Sequence, residues 1–409
     1  MTNDQQPMSY PMTYDLVPPG EVFQRISRLQ GKLAAMSLSG IMILHGVNMF
    51  YYTGTIQSGV LFVPAEGEPV LFIRRSFERA QEETPLKTLV RVTGLGQIRD
   101  WLQTHGYQTA RVGLNEAIVP VSISRRIARI FSQTAFEDLS LTLSMIRSVK
   151  SDYEVGLIRE AGKRHKVLYD DIPGMIREGM TEWDLGSAIH AKMLKLGYTG
   201  MPRLATFNSE FFAGVISFGE SGNYPTASVG PGGSVGLCPA FPFLGGARRL
   251  KKGDIIFVDT GFAYGGYFTD KTRIFALGRP HVSALDGHKI CLEIQEAVRC
   301  RLIPGAVPSE IFEAVYRTEV VKRDFEENFM GFGSNQVPFL GHGIGLVIDE
   351  FPAIARKVDV SLKKNMVFAV EPKKGLKDEG LVGVENTFLV TPQGGEKLTP
   401  GSDEITVIT

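Results

Sequence analysis

Residues 255–273 read IIFVDTGFAYGGYFTDKTR, an apolar run that reaches Asp259, then a glycine-rich aromatic segment, then Asp270. The four apolar residues before Asp259 are typical of a buried strand, which would place this carboxylate at the tip of the strand. Asp270 follows eleven positions after Asp259, a separation that one hairpin can span. We therefore expect a hairpin that folds both carboxylates onto one centre.

Three further candidate ligands follow downstream. Glu371 comes directly after the apolar run 366–370 and before Pro372, which ends a strand ladder. Glu385 lies inside another apolar run, and His342 lies between glycines, in a predicted loop where the backbone can approach a ligand closely. Because an unpaired carboxylate is costly to bury, the two glutamates need a cation nearby. Four carboxylates and one imidazole can hold two divalent cations, and two close metals with a shared water make a hydrolytic nucleophile.

These motifs resemble those of the pita-bread metallopeptidases, which include prolidase, aminopeptidase P and methionine aminopeptidase. The similar elements are Asp-Thr-Gly at 259–261, Asp-Lys-Thr-Arg at 270–273, Gly-His-Gly-Ile-Gly at 341–345, Val-Glu-Pro at 370–372 and Val-Glu-Asn-Thr at 384–387. The resemblance implies that Asp259 binds one metal and that His342 and Glu371 bind the other. Asp270 and Glu385 would bridge the two metals. Glu371 would also shuttle the proton between the bridging water and the leaving group.

The ligand types restrict the metal. An oxygen-rich shell with a single imidazole favours Mn²⁺, Fe²⁺, Co²⁺ or Zn²⁺. The sequence therefore predicts two divalent ions of this kind as cofactors, without distinguishing among the four elements.

The chain has 409 residues, which is long enough for two domains. An amphipathic helix and short apolar strands in residues 1–149 indicate a small α/β domain, which resembles the amino-terminal domain of the prolidase and creatinase branch. Ser151 and Glu154 predict a capping box at the start of the next helix. Residues 150–409 are expected to form a pita-bread catalytic domain with pseudo-two-fold symmetry, so the fold class is α/β (α+β). The first 18 residues are expected to form a loose arm.

Composition restricts the partners. The chain has 44 basic and 44 acidic residues, so it has no net field for nucleic acid or an anionic membrane. No signal peptide and no membrane-length apolar run are recognisable. The three cysteines lack ligand spacing and are expected to be free thiols in a reducing compartment. We therefore expect a cytoplasmic protein with no nucleic-acid or membrane partner.

Two positions depart from the peptidase pattern. Peptidases of the family carry a histidine seven positions after the ligand histidine, where this chain has Asp349. A second histidine, upstream of the first aspartate ligand, has no counterpart because residues 191–280 contain none, and Thr226 or Ala240 takes its place. Such histidines stabilise charge on the scissile amide oxygen, whereas an ionised aspartate can accept a proton but cannot neutralise an oxyanion. A loop cap or a salt bridge to a nearby basic residue is the alternative role of Asp349.

Three functions are compatible with these observations. The preferred one is a dinuclear hydrolase that cleaves short peptides with proline after the scissile bond. The second keeps the metals but resembles the dimethylsulfoniopropionate lyases of this fold, which share Asp-Glu-aromatic-Pro after the Gly-His-Gly-x-Gly loop; Asp349 would then be the base acting on a small carboxylate. The third is a catalytically silent binding module, which is disfavoured because all five ligands are present.

Some further residues are singled out by their position. Tyr51 and Tyr52 lie in the first domain, which in relatives reaches the active site of the partner subunit, so the resemblance implies a homodimer. Arg273 is expected to orient a bridging carboxylate. The remaining residues are left open between lining the pocket and ordinary surface or core roles: Arg203, Glu220, Phe241, Phe243 and Phe351. Prolidases often have an arginine after the Glu-x-Pro element that grips the substrate carboxylate; here that position is Ala353, and Arg356 lies three residues further on.

Overall fold

A computed structural model describes residues 14–201, 203–210, 212–227 and 230–409. The chain divides into two compact units between Ile146 and Arg147. Most of the predicted amino-terminal arm lies outside the described residues. Among the described helices, none is both long and apolar enough to cross a membrane.

The first unit is built around one six-stranded sheet. Its strands are β1 (Gly40–Ile43), β2 (Gly59–Pro64), β3 (Val70–Ile73), β4 (Thr88–Arg91), β5 (Arg111–Leu114) and β6 (Ala135–Asp138). Its helices are α1 (Pro19–Ala35), α2 (Gly46–Thr53), α3 (Phe77–Glu83), α4 (Leu95–Thr104), α5 (Val121–Ile130) and α6 (Ser140–Ser148), the last of which runs past the division. The strand order is β4-β3-β2-β1-β5-β6. Strands β1 and β3 are buried along their whole length, which explains their continuous apolar sequences.

Helix α1 shows the predicted amphipathic pattern. Val22, Leu29 and Leu33 are fully buried. Tyr51 and Tyr52 of α2 are also fully buried inside this unit, so neither side chain is available to reach a partner subunit.

The second unit contains four α-helices among its described residues: α7 (Asp152–Asp171), α8 (Glu182–Lys195), α9 (Val282–Arg299) and α10 (Pro308–Val315). Short helical turns cover Ile172–Met175, Gly219–Asn223, Tyr316–Val320 and Val321–Arg323. The first strands are β7 (Gly214–Phe218), β8 (Ile255–Tyr264) and β9 (Tyr267–Leu277). The later strands are β10 (Phe339–Gly343), β11 (Glu350–Ala355), β12 (Val367–Val370), β13 (Lys373–Leu376), β14 (Gly380–Gly383), β15 (Asn386–Thr391), β16 (Gly394–Lys397) and β17 (Thr406–Ile408).

The second unit repeats one order of elements. Helices α7 and α8 precede the strands of a four-stranded sheet ordered β17-β9-β8-β7, and α9 and α10 precede those of a five-stranded sheet ordered β11-β10-β12-β15-β16. Each half has its own apolar cluster. The predicted capping box opens α7: the Glu154 N–H donates to Ser151 Oγ at 3.2 Å, and the Ser151 N–H donates to the Glu154 carboxylate at 2.8 Å.

Candidate metal centre

The hairpin of β8 and β9 carries the two aspartates. Asp259 lies opposite Thr272, and Asp270 lies opposite Gly261. Because strand residues two apart point to the same side, both carboxylates lie on one face of the hairpin. The prediction that Asp259 ends its strand is wrong: β8 continues to Tyr264, since the residues after Asp259 still pair with β9. The two glycines that follow Tyr264 have positive φ and make the turn.

Glu371 and Glu385 lie at the ends of neighbouring strands of the five-stranded sheet. Glu371 follows β12, as predicted, and its N–H donates to the Leu340 carbonyl at 3.0 Å. Glu385 lies just before β15 rather than inside one long strand, and it forms an isolated bridge with Thr272 of β9. This bridge joins the two sheets and brings Glu385 beside the aspartates.

His342 lies on strand β10, so the prediction of a loop position is wrong; its backbone pairs with Ala369 of β12. The His342 Nδ1 is 3.1 Å from the Gly343 carbonyl. When Nδ1 donates to this carbonyl, the neutral imidazole has the Nε2 lone pair available for a ligand role. The Nε2 atom lies 3.3 Å from Glu371 Oε1 and 4.0 Å from Glu385 Oε1.

The five predicted ligands form two overlapping groups. The first ligand group is Asp270, His342 and Glu385, and the second ligand group is Asp259, Glu371 and Glu385; in each, ligand atoms lie within 4.8 Å of one another. Glu385 Oε1 is buried and has no hydrogen-bond partner among the described residues. A buried carboxylate oxygen without a donor is costly unless a cation binds it. The oxygen and imidazole donors of the first ligand group therefore fit a divalent transition-metal ion.

Lys373 lies inside the second ligand group. Its Nζ donates to Glu371 Oε2 at 2.7 Å, Asp259 Oδ2 at 2.8 Å and Glu385 Oε2 at 3.0 Å. Burial lowers the pKa of Lys373, but the three carboxylates outweigh burial and raise its pKa well above the ordinary value. Sequence analysis missed this residue. The available signal was its position two residues after Glu371, because period-two alternation can place both side chains on one side.

The pKa values reflect crowded charges. Burial and the charge of Asp259 raise the pKa of Asp270 to about 7. Burial raises the pKa of Glu371, but the charge of Lys373 and the hydrogen bond from His342 outweigh it and lower this pKa to about 2. Burial lowers the pKa of His342, whereas the hydrogen bond to Glu371 and its charge raise it to about 9. Carboxylates packed this closely ionise together only when cations compensate them.

Polar residues fix the position of Glu385. The Thr272 hydroxyl donates to Glu385 Oε2 at 2.9 Å. Arg273 donates to the Glu385 carbonyl at 2.9 Å and to Asn386 Oδ1 at 2.8 Å, and it pairs with Asp403 at 2.5 Å. Arg273 thus acts on the backbone of Glu385 rather than on its carboxylate. Such contacts behind a ligand orient it for metal binding.

Asp349 caps a loop. Its carboxylate accepts hydrogen bonds from the Ala205 N–H at 2.6 Å, the Thr206 N–H at 3.3 Å and the Thr206 hydroxyl at 3.0 Å. Both carboxylate oxygens are used, which agrees with the loop-cap alternative considered for Asp349. Arg356 is exposed and pairs with Glu313 at 2.7 Å.

Glu350, the neighbour of Asp349, forms a buried ionic cluster. It accepts from Lys150 at 3.0 Å and from Arg147 at 3.2 Å. Burial raises the pKa of Glu350, but the charges of Lys150 and Arg147 outweigh it and lower the pKa. Gly345 lies against this cluster, where a Cβ would come within 2.7 Å of Glu350 Oε2. The last glycine of the Gly-His-Gly-Ile-Gly motif is therefore needed for close packing.

The residues proposed to replace the upstream histidine have ordinary roles. The Thr226 hydroxyl donates to the Pro242 carbonyl at 2.6 Å, within the same segment. Ala240 is exposed. Glu220 pairs with Arg248 at 3.2 Å. None of these hydrogen bonds and ion pairs involves one of the five predicted ligands.

The aromatic residues pack mainly against one another. The Phe241 ring lies 6.1 Å from Trp183 and 5.8 Å from Phe243, edge to face in both cases. Phe351 is half-buried. Arg203 is also half-buried, and burial lowers its pKa. Phe241 packs against the apolar cluster of the first half of the second unit, and Phe243 contacts Phe241.

The profile of metallopeptidase family M24 matches residues 156–392, more than half of the chain, and includes all five predicted ligands. The chain belongs to metallopeptidase family M24. The creatinase/prolidase amino-terminal domain matches residues 25–149 of this M24 chain. The predicted fold class and the predicted class of enzyme, a metallopeptidase, are thereby confirmed.

The M24 chain is similar to characterised relatives along nearly its whole length. It is 24% identical over 384 residues to the Xaa-Pro dipeptidase of Pyrococcus furiosus, covering 93% of this chain and 99% of that protein. The X-Pro aminopeptidase of Thermotoga maritima superposes with a TM-score of 0.77 at 24% identity, over 94% of this chain and 99% of its own. The Xaa-Pro dipeptidase of Bacillus anthracis superposes with a TM-score of 0.78 at 23% identity, over the same shares of 94% and 99%. At these identities the superpositions establish the fold.

Proposed function

We propose that this protein is a metal-dependent peptidase that cleaves short peptides with proline after the scissile bond. The observation that carries the proposal is the convergence of five predicted ligands, from two joined sheets, onto one buried centre. The full-length similarity to the Xaa-Pro dipeptidase of Pyrococcus furiosus supports the same substrate class.

In this proposal Asp259, Asp270, His342, Glu371 and Glu385 form the centre in which divalent metal would be bound. A bound Mn²⁺, Co²⁺, Zn²⁺ or Fe²⁺ ion supplies a Lewis acid that lowers the pKa of water and polarises the scissile carbonyl. Two ions were predicted from the sequence, and Lys373 contacts all three residues of the second ligand group.

Glu371 is the proposed proton shuttle. The charge of Lys373 and the hydrogen bond from His342 overcome burial and lower its pKa, so Glu371 is ionised near neutral pH and can accept a proton. Its two oxygens lie 3.3 Å from His342 Nε2 and 2.7 Å from Lys373 Nζ, which fixes the carboxylate. Water adds to the amide carbonyl and loses a proton to Glu371. The same proton then passes to the proline nitrogen as the C–N bond breaks.

Asp349 is assigned to positioning the loop at residues 205–206. Its carboxylate already accepts three hydrogen bonds from that loop, a set of contacts that competes with a role as general base. This favours the peptidase over the lyase-like alternative, in which Asp349 removes a proton from a small carboxylate substrate.

Two further proposals concern the protein in the cell. A homodimer is implied by the resemblance of the first domain to that of the family, and the buried Tyr51 and Tyr52 side chains do not contribute to this argument. A cytoplasmic location is supported by the three cysteines, which are all unpaired.

The substrate class is tested with a panel of Xaa-Pro dipeptides and Xaa-Pro-Yaa tripeptides beside sulfonium and quaternary-ammonium acids, all assayed with Mn²⁺-loaded protein. We expect release of the residue before proline from the peptides and no elimination product from the acids. Turnover of a sulfonium acid without any peptide cleavage would replace the peptidase by the lyase-like function.

A further inference from the structure

The second ligand group already contains a cation from the chain itself. The Lys373 side chain has no exposed surface, and its Nζ is within 3.0 Å of one oxygen from each of Asp259, Glu371 and Glu385. An ammonium group has three N–H donors, so these three carboxylates use all of them. The hydrogen-bonding capacity of Lys373 is thereby satisfied inside the centre.

The first ligand group is different in this respect. Glu385 contributes Oε2 to Lys373, while its Oε1 is buried without a hydrogen-bond partner among the described residues. Oε1 lies 4.0 Å from His342 Nε2. The two oxygens of the Glu385 carboxylate therefore differ: Oε2 accepts from the Lys373 ammonium, and Oε1 accepts from no group among the described residues.

The backbone holds Lys373 in this position. Strand β13 pairs Lys373 with Gly383, and the Lys373 carbonyl accepts from the Met330 N–H at 2.8 Å. Gly383 has a φ of +147°, and a Cβ there would come within 2.7 Å of the Lys373 Cα. The backbone at Gly383 therefore packs closely against the backbone of Lys373. The Lys373 side chain lies beside Phe257, with Nζ 5.6 Å from the centroid of the ring.

We propose that the Lys373 ammonium replaces one of the two cations expected in this centre, so that the protein binds a single divalent ion, at Asp270, His342 and Glu385. The inference rests on the metal centre of the proposed function but not on its substrate. The Lys373 ammonium already compensates the negative charge of Asp259 and Glu371. A second divalent ion bound next to this ammonium would be repelled by its positive charge.

Metal content tests this assignment directly. Chelator-stripped protein is saturated with Mn²⁺, dialysed and measured by elemental analysis, and its electron paramagnetic resonance spectrum is recorded. Wild type is expected to retain about one ion per chain with the hyperfine pattern of an isolated ion. Lys373→Met opens the second ligand group and is expected to retain about two ions with an exchange-coupled spectrum.

Two variants serve as controls. Lys374→Met removes the adjacent lysine, whose Nζ donates to the carbonyls of Phe325 and Glu327 outside the centre, and should bind metal as wild type does. Lys373→Arg keeps a cation and should retain about one ion. Should Lys373→Met fail to fold by circular dichroism, wild type and Lys373→Arg still decide the matter.

Two tightly bound, coupled ions in wild type would overturn the assignment, because Lys373 would then have given way to the metal. A folded Lys373→Met protein with no more metal than wild type would overturn it as well. Peptide cleavage is assayed separately. Peptide cleavage by protein with two ions would support the proposed function and contradict the assignment of Lys373 as the second cation. Protein with one ion and no cleavage would support the assignment of Lys373 and contradict the proposed function.

Discussion

Glu371 connects the charges of the centre to its proposed chemistry. One of its oxygens faces His342 at 3.3 Å and the other faces Lys373 at 2.7 Å. Burial alone would favour a protonated, neutral carboxyl, and the two neighbours reverse this preference. A carboxylate kept ionised in a buried site can take a proton from water.

Replacing Glu371 by glutamine keeps the shape of the side chain but removes its ability to accept a proton. We expect kcat for an Xaa-Pro dipeptide to fall by about 10²–10⁴-fold, the usual contribution of general acid–base catalysis. Glu178→Gln, on an exposed glutamate, is the matched control and should keep wild-type kcat. Steady-state kinetics on Mn²⁺-loaded protein measure the effect, and unchanged kcat in Glu371→Gln would remove Glu371 from the mechanism.

Asp349 is expected to matter for a loop rather than for proton transfer. In Asp349→Ala the hydrogen bonds to Ala205 and Thr206 are lost, so trypsin should cut after Arg203 several-fold faster than in wild type. Asp286→Ala, on an exposed residue of α9, should leave the cleavage rate unchanged. Mass spectrometry of timed digests gives the rates.

The same Asp349→Ala protein should keep Xaa-Pro cleavage within about tenfold of wild type, since no proton is routed through this residue. Complete loss of turnover, with an unchanged trypsin pattern, would show that Asp349 is the base.

The candidate ligands were predicted from the resemblance of their motifs and because carboxylates are expensive to bury without cations, as for Glu385 inside an apolar run. Lys373 could not be predicted in the same way. Lysine is usually exposed, and its burial depends on Asp259, which lies more than a hundred positions away in the chain. Only the folded hairpin brings these charges together.

At the scale of elements, Glu350 of β11 is held by two cations from the segment around residue 150. Arg147 and Lys150 both contact its carboxylate, and all three side chains are buried. Removing one partner from a buried ionic cluster leaves uncompensated charge and is strongly destabilising. The cluster thus fixes β11, and with it Asp349, to the start of the second unit.

Glu350→Gln should lower the free energy of unfolding by about 3–5 kcal/mol at neutral pH. The pKa of Glu350 is lowered below its ordinary value of 4.5 in the folded protein, so its stabilisation is complete above pH 4.5 and is lost as the pH falls through the folded-state pKa. The difference from wild type should therefore shrink in acid. Urea unfolding at several pH values measures it, with Glu178→Gln as the control; equal stability of Glu350→Gln and wild type at neutral pH would contradict the prediction.

The start of a helix could be predicted where neighbouring residues in the sequence determine it, but the lengths of the strands could not. The capping box at Ser151 and Glu154 was correctly predicted, because both partners lie three residues apart. The extent of β8 and the strand position of His342 were mispredicted, because pairing with β9 and β12 overrides the loop preference of glycine. Tertiary pairing, invisible in a single segment, decided both.

At the scale of the whole molecule, the centre depends on the joining of two sheets. The bridge between Thr272 and Glu385 places one ligand-bearing strand pair against the other, and the first and second ligand groups share Glu385. The resemblance of the motifs and their order was sufficient to predict the fold that the M24 match confirms, whereas the bridge itself was not predicted. The division near residue 146, by contrast, falls within helix α6, whose sequence carries no break.

The central claim is that this protein cleaves Xaa-Pro peptides with divalent metal bound in the centre formed by the five predicted ligands. The most direct measurement is the rate of Xaa-Pro dipeptide hydrolysis by chelator-stripped protein as Mn²⁺ is restored, with bound metal determined in the same samples. The account predicts that stripped protein is inactive and that the rate rises in proportion to bound metal until the centre is full. Fully loaded, folded protein that cleaves no peptide, or stripped protein that cleaves at the undiminished rate, would contradict it.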